Sequence, residues 1–230
     1  LQALTWEGRP ADTTYHAVCG GIGEAPAAVW PGAPPQPYLP GRPDTPAPLP
    51  EGLDLSREED LRAFLDRPPQ AFCEGAGRFR WEESWSLADF QARAEEALPR
   101  ILKGEAPALG RLQAVTVQER TAHGRVARLL LRGDRGEVEV RGDAVRWLTS
   151  GGRIGAGGLQ SALFYVQPVE GGLRFRGGGW GHGVGLCQEG AAGRARAGQP
   201  WREILEHYYP GTDLGPWGEG TGVPSRSTSR

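Results

Sequence analysis

Side chains able to do chemistry are most concentrated in one glycine-dense run, Gly177-Gly178-Gly179-Trp180-Gly181-His182-Gly183-Val184-Gly185-Leu186-Cys187-Gln188-Glu189-Gly190-Ala191. Alternating glycines let a backbone turn through positive φ or approach a ligand closely. Here they hold an indole, an imidazole, a thiol, an amide and a carboxyl within one short stretch. No frame in the run reads G-x-G-x-x-G or as a P-loop, which argues against nucleotide binding. Trp180 and His182 suit a sugar ring instead: the indole stacks on its apolar face and the imidazole hydrogen-bonds its hydroxyls. A tight turn loop built around a core tryptophan uses the same residues, and composition does not choose between the two.

A second histidine precedes a glycine pair in Tyr15-His16-Ala17-Val18-Cys19-Gly20-Gly21, and a third lies in His207-Tyr208-Tyr209-Pro210-Gly211-Thr212. The first two segments predict one shared groove, with the His16 and His182 imidazoles within about 10–12 Å on opposing walls. Structural packing is the alternative for each histidine. In the third segment, helical spacing turns Trp201, Leu205 and Tyr208 inward. There are three cysteines, Cys19, Cys73 and Cys187. An odd number cannot pair completely, and no C-x-x-C spacing supports a local zinc site. His16, Cys19, His182 and Cys187 make a chemically possible zinc set only if two distant segments meet.

The elements that must position these residues follow from periodicity and turn chemistry. Leu1–Trp6 reads as a strand ended by Glu7-Gly8. From Pro26 to Gly52 the proline density predicts a long surface loop and no core element. Ser56 and Glu59 read as a capping box for a short helix with Leu61, Phe64 and Leu65 on its apolar face. Residues 78–85 alternate as a strand, and Ser86 caps a helix carrying Phe90, Ala94, Ala97, Leu98 and Ile101. Strands are expected at 111–120, 124–132 and 136–141, with shorter β segments near 143–148, 160–167 and 172–176. Helices are expected at about 186–197 and 200–208, with Pro200 in the first turn of the second. The Gly/Ser/Arg-rich stretch 215–230 reads as a disordered tail. The fold class is α+β: one domain, residues 1–214, with a β-rich core and short helices at its edges.

The run Gly179–Ala191, together with Trp201-Arg202-Glu203-Ile204-Leu205 and His207–Thr212, closely resembles the C-terminal signature of the stage II sporulation protein D (SpoIID/LytB, amidase-enhancer) family. Tyr15-His16 with Gly20-Gly21, Trp30, Pro37-Tyr38-Leu39, Arg120-Thr121, Gly124-Arg125-Val126 and Phe164-Tyr165-Val166 are similar as well. The resemblance covers about residues 1–214. It implies an exported protein of the cell envelope or exterior, acting on peptidoglycan glycan strands by lytic transglycosylation. The groove would then be lined by His16, Gly20, Gly21, Trp180, His182 and Gln188, with Tyr208 or Tyr209 near its end.

The family's catalytic Glu-led segment has no match in this chain. Cleavage between N-acetylmuramic acid and N-acetylglucosamine needs a carboxyl as general acid. Of Glu24, Glu82, Glu83 and Glu189, the substitute best placed in sequence is Glu189, while the others read as solvated surface charges. The chain is therefore expected to bind glycan without cleaving it. An open edge is expected beside Leu1–Trp6, filled by an upstream segment. The alternative is a non-catalytic wall-binding or amidase-stimulating module, with an amidase as partner. In an exported protein a Cys19–Cys73 disulfide is expected, leaving Cys187 as a packed thiol. No metal and no cofactor is expected. A net charge of −2 offers no basic field for nucleic acid. No apolar run approaches the roughly 20 residues that cross a bilayer.

Overall fold

The computed structural model describes residues 2–151 and 157–216. Leu112–Arg120 (β5), Val126–Gly133 (β6) and Glu137–Arg141 (β7) alternate apolar and polar residues and pair as an antiparallel meander. Its register places Leu131 opposite Val115 on one side and Val138 on the other. A second three-stranded sheet joins Trp81–Ser86 (β4), Gly172–Gly177 (β9) and Phe164–Val169 (β8) in the order β4-β9-β8. Helix α3, Leu87–Leu102, lays Phe90, Ala94, Ala97 and Leu98 inward. Phe90 stacks on Phe175 at 5.4 Å, and Phe175 meets Phe164 edge-on at 5.6 Å. This is the larger apolar core. Ser86 caps α3 as expected, its hydroxyl accepting the Asp89 N–H at 3.0 Å.

Several local expectations are corrected. Residues 143–148 lie in a 3₁₀ helix, Gly142–Thr149, instead of a strand. Val145 and Leu148 are buried there, and Asp143 and Arg146 form an i,i+3 ion pair, so the period is three and not two. The capping box at Ser56 does not form. Helix α2 is Glu58–Asp66 and starts at Arg57 without a side-chain cap, while the Ser56 hydroxyl donates to Asp54 at 2.6 Å. Pro200 occupies the cap of α5, Trp201–Tyr208, not its first turn. The proline-rich stretch is largely irregular but holds a short helix α1, Pro26–Val29, and buries Val29, Tyr38, Leu39 and Asp44. It is a wall of the second core, not a mere surface loop.

That second core gathers both ends of the described chain. Gln2–Trp6 (β1) lies between Arg9–Pro10 (β2) and Asp213–Pro216 (β11), pairing with both. The open edge expected beside this strand is therefore occupied by β11, which also carries regular pairing to Gly215 and Pro216. The rest of the expected tail, 217–230, falls outside the described residues. The join that matters most is small: Tyr15–His16 (β3) pairs in parallel with Leu186–Cys187 (β10), setting His16 opposite Cys187. Helix α4, Gln188–Arg196, follows at once. Together these elements form a single α+β domain of several small sheets. No helix among the described residues is long and apolar enough to cross a membrane.

Candidate functional site

The parallel β3/β10 pair brings the two histidine motifs together. The His16 and His182 ring centroids are 5.7 Å apart, and Trp30 packs on His182 at 5.0 Å. His16 is buried and donates from Nδ1 to the Val184 carbonyl at 3.1 Å. Burial, then the Arg125 and His182 charges, lowers its pKa to about 3, so the imidazole is neutral at neutral pH. His182 accepts the Val184 N–H at Nδ1, 3.1 Å away, and burial lowers its pKa too. Two neutral rings of opposite tautomer thus share the Val184 peptide. Asp143 stands near His182, but both its oxygens accept from Arg146 Nη1, at 3.1 and 3.0 Å.

The glycines serve this approach of loop on loop. A Cβ on Gly20, whose φ is +77°, would stand 2.7 Å from the Gly178 carbonyl carbon. One on Gly181, at φ +113°, would stand 2.9 Å from the His16 Cβ. Only glycine admits the two exchanged bonds between Val18 and Trp180, at 3.0 and 2.7 Å, so close to these turns. Gly20 and Gly21 are themselves buried. Gly20 faces the Gly178–Gly179 backbone, whereas Gly21 faces the Phe64, Ala71 and Phe79 side chains.

Trp180 and Tyr15 stay outside, with 49% and 63% of their surface exposed. Exposed aromatic rings beside histidines are a surface on which a sugar ring can stack. Tyr15 and Gln188 also line an open groove of about 660 Å³ with Leu4, Pro10, Leu186 and Tyr209. Tyr208 is drawn inward, its hydroxyl donating to Asp44 at 2.9 Å. Tyr209 reaches the groove only by an edge, because its hydroxyl donates to the Thr14 carbonyl at 2.8 Å and the residue is buried.

The acids weighed from sequence lie in four different settings. Glu189 is exposed in the first turn of α4. Glu82 pairs with Arg174 and Arg176 across the sheet surface, and Glu83 accepts from Gln160 at 3.3 Å. Glu24 is not the solvated charge expected. It is buried, and its carboxylate accepts from Thr121 at 2.5 Å and the Ala25 N–H at 3.0 Å, with His123 at 2.9 Å. Burial opposes ionisation, but the His123 bond, Arg125 and Thr121 outweigh it and hold Glu24 below its usual range.

The three cysteines meet. Cys19 follows β3, Cys187 ends β10, and Cys73 lies in the turns between α2 and β4. All three are free thiols, and the Cys19 and Cys73 sulfurs stand 3.5 Å apart. The disulfide expected between them is not formed, since a bond needs about 2.05 Å. Burial pushes Cys19 well up, while hydrogen bonds with Cys187 and Cys19 pull Cys73 down. Asp44, which nothing in the sequence singled out, joins them. Its Oδ2 is 3.4 Å from the Cys19 sulfur, and its Oδ1 accepts from Arg194 Nε at 2.9 Å. Among the described residues, Cys19, Asp44, Cys73 and Cys187 make a donor set capable of holding a metal. This differs from the His16, Cys19, His182 and Cys187 combination weighed from the sequence.

Comparison with known proteins adds three matches. Residues 24–185 match a family described as a domain of unknown function, DUF8618. That span takes in Trp180 and His182 and leaves out His16, Cys19 and Cys187. Over 56 residues, 24% of this chain, it is 45% identical to an uncharacterized protein of Brachyspira hyodysenteriae. Over 61 residues, 26% of this chain, it is 43% identical to a Bacillus subtilis protein named amidase enhancer. These matches span only 15% and 9% of the two relatives.

Proposed function

This chain belongs to the DUF8618 domain family, whose description names no activity, and from that premise we propose that it is a non-catalytic cell-wall module that binds glycan strands and stimulates a wall amidase. The observation that carries the reading is the similarity to the amidase enhancer, taken with an exposed Trp180 and Tyr15 flanking the His16–His182 pair. The local motifs support placing it with the stage II sporulation protein D type, and an exported location goes with that placement. Peptidoglycan supplies the ligand chemistry: sugar faces for the two aromatic rings, and hydroxyl and acetamido groups for Gln188 and His182. Catalysis by this chain has weaker support. Glu24 is buried and spent on internal bonds, and Glu189 is a solvated residue of a helix's first turn, where a carboxylate is favoured by the helix dipole regardless of chemistry.

The test uses purified sacculi and a purified N-acetylmuramoyl-amidase, with and without the chain. Co-sedimentation with sacculi and several-fold faster peptide release by the amidase are expected, with no 1,6-anhydro sugars from the chain alone. Trp180→Ala should weaken sedimentation about tenfold, as loss of a ring-stacking contact of about 1.4 kcal/mol implies, at unchanged Tm. Anhydro products from the chain alone, abolished by Glu189→Gln, would instead make it a transglycosylase. Absence of both binding and stimulation would remove the wall reading.

A further inference from the structure

We propose that Cys19, Cys73, Cys187 and Asp44 form a closed, four-coordinate site for one thiophilic divalent ion of the zinc type, which ties together four separate segments of the chain. The three sulfurs and one carboxylate oxygen all lie within 4.8 Å of one another, and all four residues are buried. A tetrahedral ion about 2.3 Å from sulfur and about 2.0 Å from oxygen sets sulfurs about 3.8 Å apart and sulfur from oxygen about 3.5 Å. Cys19 and Cys73 are 3.5 Å apart, and Cys19 and Asp44 are 3.4 Å apart. Sulfur-rich sets of this kind select zinc and similar soft ions over magnesium or calcium.

The surroundings are those of a ligand set and not of packed thiols. Backbone N–H groups point at sulfur: Gly21 at Cys19 (3.3 Å), and Cys19 and Gly190 at Cys187 (3.2 Å each). Such donors stabilise thiolate, the form that binds metal. Asp44 is oriented by Tyr208 on Oδ2 and Arg194 on Oδ1, each at 2.9 Å, the kind of outer support that fixes a ligating carboxylate. Arg194 and the half-buried Arg80, which donates to the Gly20 carbonyl at 2.9 Å, offset negative charge that one divalent ion leaves uncompensated. A cavity of about 20 Å³ borders Cys19, Asp44 and Cys187, room for one water-sized body.

A disulfide is the rival. It would use Cys19 and Cys73, leave the Cys187 thiol out, and need an oxidant to take two electrons. Metal binding uses all four groups, and each bound thiol simply releases its proton to solvent. The consequence reaches the histidine pair. Cys19 lies three residues beyond His16 and Cys187 five beyond His182, so an ion here clamps both walls to the turn that carries Cys73.

The experiment takes the full chain, reduced and metal-free, and adds Zn²⁺ or Co²⁺. Expected are one ion per chain after gel filtration, intense sulfur-to-cobalt absorption with tetrahedral visible bands, and a Tm that falls on chelation. Three thiols should resist modification until a chelator is added. Cys73→Ser should abolish the charge-transfer pattern of a three-sulfur site. Tyr208→Phe, which keeps every ligand, should weaken Zn²⁺ about 10–100-fold. Binding below about a tenth of an ion per chain by folded, reduced protein overturns the proposal, as does Co²⁺ bound without sulfur bands. Recovery of a Cys19–Cys73 disulfide from protein saturated with Zn²⁺ overturns it as well. Should Cys73→Ser fail to fold, the wild-type cobalt spectrum decides alone.

Discussion

Asp44 carries more of the buried polar chemistry than any residue of the glycine motifs. Arg194 and Tyr208 both bond it, and His207 lies 3.7 Å from it. Arg194 in turn lies over the Phe72 ring at 4.2 Å and is itself buried. Removing one partner of such a pair strands a charge away from water. Arg194→Ala is therefore expected to cost on the order of 3–5 kcal/mol, read as a shifted urea midpoint at unchanged m-value. Arg194→Met, similar in length but uncharged, should be as harmful if charge is what matters and much milder if packing is. Gly20 belongs to the same scale. With backbone 2.7 Å from any Cβ and φ at +77°, Gly20→Ala should destabilise by more than about 1 kcal/mol in the same assay, since both the strain and the clash oppose it.

Among the elements, the two serines read as helix caps separate cleanly. Ser86 accepts the Asp89 N–H, whereas Ser56 turns its hydroxyl to Asp54 and leaves α2 uncapped. Ser86→Ala should lower stability by about 1 kcal/mol, and Ser56→Ala should stay within about 0.5 kcal/mol. Equal effects in a thermal melt would contradict the assignment. Both serines are followed three residues later by an acid, Asp89 or Glu59, so the motif cannot separate them. What differs is the chain before the helix. β4 delivers Ser86 directly into the cap position, while Asp54 offers Ser56 a nearer acceptor. Gly142–Thr149 reads as β in sequence yet forms a 3₁₀ helix for a comparable reason. Its apolar residues are too few to distinguish a period of three from one of two.

Across the whole molecule, ionisable groups set the response to acid. Burial holds the His16 pKa at about 3, far below the 6.5 usual for histidine. The stability gained by keeping it neutral is complete above pH 6.5 and is lost as pH falls from there toward 3. His182 and His207, the latter at about 4, are lowered by burial and act in the same direction. Glu24, also lowered, contributes fully above the usual glutamate value of 4.5 and loses that contribution as it protonates below. Asp44, raised first by burial, works the other way, its contribution complete below 3.8 and lost as pH rises. The Tm should thus fall between pH 7 and pH 5, as the three lowered histidines begin to lose that contribution, and His16→Gln should flatten the slope. An unchanged slope would mean that His16 is not the neutral, buried group described here. The sequence by itself determined the α+β class, the helix that Ser86 caps, the hairpin strands of the middle region and the two glycine–histidine motifs. Each of these is set by neighbours within a few residues, through periodicity, capping and turn chemistry. Only the tertiary structure decided that His16 faces Cys187, that β11 closes the edge of β1, and that Asp44 enters the cysteine cluster. His16 and Val184 are separated by 168 positions, and Asp44 and Arg194 by 150. Such meetings are fixed by which surfaces pack, and no local pattern records that.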